Sequence, residues 1–220
     1  MVVVNTTNHE VDVRLVDALA GPESSARLRA ALSAGTQGDP ALARTLVDRC
    51  AIEPDFFVRD MLTWALCRLP AEITVPMLLA ELDSETAQAR SQALHTLSKI
   101  GDRSAWPAVS ALLHDGHDEV ALSAWRAATV LVPPGAENAL AHELARALGR
   151  GDHQMWLSLS RAFAALGEAA APVLEAAMAH PDPQVRAHAE ASEQLRLDPD
   201  SGFASSVELA KRAAALGPDA

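Results

Sequence analysis

The chain has 220 residues, 49% of them hydrophobic and 21% charged, a balance that excludes intrinsic disorder and allows a large buried core. No window approaches 18 uncharged apolar residues, so no membrane-spanning helix is expected. The formal net charge of -11 opposes binding to nucleic acid or to an anionic membrane, because such binding draws on a basic surface.

Residues 1–10 (MVVVNTTNHE) carry three valines and then polar groups. They lack the basic start and long apolar run of a secretion signal, so a tail and a cytoplasmic protein are expected. From there, apolar residues recur at helical spacing in successive pairs of segments. The predicted helices run over 11–20 and 23–34, 40–51 and 55–69, 72–83 and 87–100, 104–114 and 118–132, 136–149 and 153–166, and 169–179 and 183–196. A further helix over 201–216 is expected to cap the open end of one domain spanning 1–220. The breaks carry turn residues, such as Asp83-Ser84, His114-Asp115-Gly116 and His180-Pro181-Asp182-Pro183. Pro76, Pro107 and Pro172 fall early in first helices, where a missing N–H costs little. Alternating patterns and tyrosine are both absent and alanine is abundant, which argues against strands.

The second helix of each pair repeats. Val58, Ala89, Val120, Met155 and Val185 share one column, at steps of 31, 31, 35 and 30 residues, with a weaker copy beginning at Ala26. Apolar or small residues follow at +4, +7, +8 and +11, one stripe of a helix. The column after the first reads Arg27, Arg59, Arg90, Ala121, Trp156 and Arg186. A period of this length with two helices per unit predicts an all-α solenoid, in which stacked pairs share one core.

The string Val185-Arg186-Ala187-His188-Ala189, like Ala89-Arg90-Ser91-Gln92-Ala93, resembles the HEAT repeat, over roughly residues 22–196. The resemblance implies a right-handed α-solenoid of about six helix pairs. It also implies that second helices line the concave side and that the column arginines make structural contacts between layers. Ala121 and Trp156 depart from the pattern, so those layers must be held differently. The string FFVRDMLTWALCRLP is similar to HEAT proteins of high-GC bacteria, and sixteen arginines against two lysines fit such a genome.

Catalytic and metal signatures are sparse, and neither a cofactor nor a metal is expected. Cys50 and Cys67 sit in apolar helical patterns, as buried free thiols do. HEAT-like hydroxylases hold iron with His-Glu pairs in several layers, whereas the only internal pair here is His142-Glu143. His114 and His117 flank a turn with Asp115 and Asp118 and read as turn residues. Asp60, Trp64 and Arg68 stand four apart on one helix face and are similar to the Asp–Trp–Arg set of HEAT-like DNA glycosylases. The acidic charge disfavours that enzyme. Gly149-Arg150-Gly151 lacks the remainder of a phosphate-binding fingerprint.

Opposite the apolar stripe lie positions +2, +5, +6 and +9. They present Trp64, His95, Arg126 and Arg161 in the +6 column, beside an apolar set of Leu94, Leu122, Trp125 and Leu157. Exposed apolar groups next to arginines are typical of binding anchors. The expected role is a non-catalytic binding or scaffold protein that holds a protein segment or a small ligand. A glycosylase-like enzyme and a ligand-sensing regulatory module are the alternatives. Self-association through edge layers is compatible with the pattern. Phe56, Phe57 and Trp106 are expected to be packing staples.

Overall fold

The computed structural model of the chain describes residues 13–198; the expected tail over 1–10 and the expected cap over 201–216 lie outside them. Every regular element among the described residues is helical. The chain, expected from its sequence to be one domain, divides into two compact units, Met1–Ile100 and Gly101–Ala220.

The first unit holds three described helix pairs: α1 (Val13–Ala20) with α2 (Ser24–Gln37), α3 (Ala43–Ile52) with α4 (Phe56–Leu66), and α5 (Ala71–Glu81) with α6 (Ala87–Ile100). First helices stack on first helices (α1 on α3 on α5), and second helices likewise (α2 on α4 on α6). The second unit is built from α7 (Trp106–Ala111) with α8 (Asp118–Leu131), α9 (Glu137–Ala145) with α10 (His153–Leu166), and α11 (Ala171–Met178) with α12 (Pro183–Leu197). There α8 packs on α10, α10 on α12 and α9 on α11. Such stacking hides apolar stripes that no single pair could bury.

Aspartates start many of these segments. Asp55, Asp152 and Asp182 accept backbone N–H groups at the first turns of α4, α10 and α12, and Asp39 and Asp102 do so for 3₁₀ turns ahead of α3 and α7. Each bond satisfies a donor that a helix start leaves without a partner.

The column arginines close the turn inside their own pair. Nη1 of Arg27 donates to the carbonyls of Gly21 and Pro22, Arg59 to Glu53 and Pro54, Arg90 to Ser84 and Glu85, and Arg186 to His180 and Pro181. In every case the acceptors lie six and five residues earlier. The expected contact between layers is made by Arg27 as well, whose Nε and Nη2 reach Glu53 of the next pair at 2.7 and 2.8 Å.

Where the arginine is missing, the next pair supplies the clamp. Ala121 replaces it on α8, and Arg150 reaches back to the carbonyl of Asp115, six residues before Ala121, at 2.9 Å. On α10 the column holds Trp156. His188 of α12 stacks on that indole, 4.5 Å between centroids and 6° between planes. Its Nδ1 accepts from the Gly149 N–H, and its Nε2 donates to the Trp156 carbonyl, both at 3.0 Å. Gly149 has φ +82, a conformation that side chains disfavour, and a Cβ there would meet Val185 at 3.2 Å.

Candidate functional site

The open positions on the second helices are fewer than the sequence pattern suggests. At about 100° per residue, +5 falls on the flank of the apolar arc, while +2, +6 and +9 lie further round. Within each unit second helices stack on second helices, and that flank is closed. Thr63, Leu94, Trp125 and Ser160, the +5 residues of α4, α6, α8 and α10, are all buried. Thr63 faces Thr96 at 3.4 Å, and Ser160 faces Ser192 at 2.7 Å.

This corrects two of the expected site residues. Leu94 and Trp125 are core, and Trp125 Nε1 donates to the Leu113 carbonyl at 2.9 Å, tying the end of α7 to α8. Leu157 is half-buried against the cluster of Trp156, Ala187, Ala191 and Leu195, so it serves the α10–α12 contact. Leu122 is half-buried on α8. Trp64, Arg126 and Arg161 are exposed, and His95 is half-buried.

In the first unit, Trp64 keeps 39% of its surface open on α4. Its ring lies over Gly35 of α2; a Cβ at Gly35 would stand 2.3 Å from the indole and 2.9 Å from the Ala65 Cα. The glycine therefore sets how closely α2 and α4 approach. Arg68 covers the other part of the ring, with its guanidinium carbon 5.8 Å from the centroid, a cation–π contact. The Asp60–Trp64–Arg68 row is thus partly engaged with itself. Cys67, expected to be buried, is exposed at the end of α4 in the open +9 column. Cys50 is buried, and burial pushes its thiol up to about 12, which leaves it unreactive. Phe56 and Phe57, expected to pack, are 65% and 71% exposed and meet edge to face, with Arg59 over Phe56. They occupy the first turn of α4, outside its buried stripe. Trp106 is half-buried at the start of α7.

The same unit contains a buried ionic centre that the periodicity did not single out. Glu53, fully buried between α3 and α4, accepts from Arg27, from Arg49 and from the backbone N–H of Asp55. Burial alone would raise its carboxyl. Arg27, the Asp55 N–H and Arg49 outweigh that and hold it at about 2. The Glu53 carbonyl also receives Gln88 of α6 at 2.9 Å.

In the second unit, Arg126 and Arg161 line a hollow of about 310 Å³ together with Thr129, Ser158 and Ala162. Arg126 Nε donates to Ser158 Oγ at 3.3 Å, and Thr129 donates to the Arg126 carbonyl. Neither arginine has a carboxylate partner among the described residues, whereas Arg146, Arg150 and Arg196 do. The histidines of the expected turn serve local bonds: His114 meets Glu143 at 2.9 Å and His117 meets Asp115 at 3.2 Å. Among the described residues, no three His, Cys, Asp or Glu side chains are grouped to hold a metal, and no helix is long and apolar enough to cross a membrane.

No family model and no curated protein matches the chain. Two crystal structures of engineered proteins, targets of the Northeast Structural Genomics Consortium, are similar to it. One is 20% identical with a TM-score of 0.45, covering 90% of this chain and 96% of its own. The other is 17% identical with a TM-score of 0.46, covering 86% and 98%. Likenesses of this size carry no argument about function.

Proposed function

We propose that this chain is a HEAT-type binding protein, a right-handed α-solenoid without catalytic activity, which holds a protein segment against the open face of its second helices. The observation that carries the reading is the pair Arg126 and Arg161. These are two exposed cations around one hollow, without carboxylate partners among the described residues, in a chain of net charge -11. The repeat period and the stacking of second helices on second helices support the solenoid. The half-open Trp64 supports an anchor for the partner on the first unit. A cytoplasmic bacterial setting goes with this reading.

Affinity purification from the source cells tests it. The chain carrying Trp64→Ala and Arg126→Glu stays folded by circular dichroism and loses a protein that the unaltered chain retains. Retention of the same protein, or collapse of the fold, contradicts the reading. Salt-dependent retention on DNA would favour the glycosylase-like alternative. A small molecule that co-purifies and is released on denaturation, seen by mass spectrometry, would favour a ligand sensor.

A further inference from the structure

In the middle of a helix each backbone N–H is already bonded to the carbonyl four residues back. Arg126 lies well inside α8, and Ser158 and Arg161 well inside α10. The hollow they share therefore offers side-chain donors, without the free amide nest or helix start that phosphate sites use. Among the described residues Arg126 commits only Nε, to Ser158, which leaves both Nη groups. No bond of the Arg161 guanidinium is formed to the described residues. Ser158 is buried and receives the Arg126 bond, so its own proton can go to a further acceptor. Among the described residues, no Asp or Glu lines the hollow.

The geometry points to a site for side-chain carboxylates of a partner protein: a short Asp- or Glu-bearing segment crossing α8 and α10. This inference rests on the binding reading above and names the chemistry of its partner. Each guanidinium is a planar fork that matches one carboxylate with two parallel hydrogen bonds. The acidic surroundings repel a long run of negative charge, which sets a duplex or a polyanion against a segment carrying two or three carboxylates. A hollow of about 310 Å³ takes side chains rather than a folded surface.

The test uses the full chain and a fluorescein-labelled, end-capped peptide, Ala-Glu-Ala-Ala-Glu-Ala, read by anisotropy at low salt. Its glutamine and phosphoserine counterparts serve as comparisons. The glutamate peptide binds, and the glutamine peptide binds at least tenfold more weakly. The double variant Arg126→Gln, Arg161→Gln loses at least tenfold, while Arg103→Gln on an exposed turn changes nothing. If the double variant unfolds, Arg161→Gln alone reads the site, since its guanidinium bonds to no described residue. Equal binding of the glutamine peptide, no effect of the variants, or binding of the phosphoserine peptide alone overturns the assignment. If no peptide binds and the cellular protein is still retained through Trp64, this assignment falls and the binding reading stands.

Discussion

The middle helix pair of each unit solves one problem in opposite ways. In Met1–Ile100 the turn before α4 is organised by a buried anion, Glu53, ringed by Arg27, Arg49 and a backbone N–H. In Gly101–Ala220 the turn before α10 is organised by a neutral ring, His188, stacked on Trp156 and bonded to Gly149. A buried ion pair is costly to assemble and costlier to break, since removing one partner strands the other charge. A neutral imidazole avoids that cost but can be broken by a single proton. A repeat fixes where a clamp is needed and leaves open which chemistry supplies it.

The largest expected effect is on the ionic side. Glu53→Ala leaves Arg27 and Arg49 facing a void, with a loss of roughly 3–5 kcal/mol. Urea denaturation read by hydrogen exchange would locate that loss in α2, α3 and α4; a loss below about 1 kcal/mol would show the centre to be solvated.

Acid should separate the units. Burial lowers the His188 imidazole from 6.5 to about 4, against the opposing pull of the Trp156 carbonyl. Because the unfolded ring binds its proton first, the stability it contributes is full above pH 6.5. It is lost as pH falls from there toward 4, about 3 kcal/mol in all. Glu53 works lower: its contribution is present above the unfolded value of 4.5 and fades as pH falls toward about 2. Hydrogen exchange at pH 5 should therefore show α10 and α12 loosened while α3 and α4 keep their protection. His188→Gln should flatten the dependence between pH 6.5 and 4.

A smaller effect is expected from close approach. Gly35→Ala forces Trp64 or the α2–α4 spacing to move, at about 1–3 kcal/mol, and iodide should quench the displaced indole more strongly. Arg150→Ala removes the substitute clamp on the Asp115 carbonyl and should cost about 1 kcal/mol, read as a small drop in the denaturation midpoint. A similar loss for Ala121→Arg in the unaltered chain would indicate that the position has no room for the column residue.

Much of this organisation was legible in the sequence. The 30–35-residue period placed all twelve described helices, with ends off by at most four residues, because the apolar stripe and the turn residues are local signals. The column arginines were visible too, but their targets were not. An arginine that bonds to two carbonyls leaves no mark at the acceptors, because any residue supplies a carbonyl. Glu53 and His188 escaped for a related reason: each occurs once, and His188 and the buried Arg27–Glu53 bond join neighbouring pairs, although the i,i+4 spacing of Arg49 and Glu53 was a local signal. The pattern of one helix alone puts Leu94 and Trp125 on its open face. Stacking on a neighbouring second helix of the same unit widens the buried arc to include +5, an angle that helix geometry gives directly. Arg126 and Arg161 at +6 lie further from the arc and are open.

The binding reading puts a partner against the open second-helix positions rather than against the first helices. Photo-crosslinking from a benzophenone side chain placed at position 154 on α10, seven residues before Arg161 and on the same side of the helix, or at position 175 on α11 compares the two directly in the source cells; Gln154 and Glu175 are both exposed. One defined protein adduct is expected from position 154 and none from position 175. An adduct from 175 alone, or equal adducts from both, would contradict that reading.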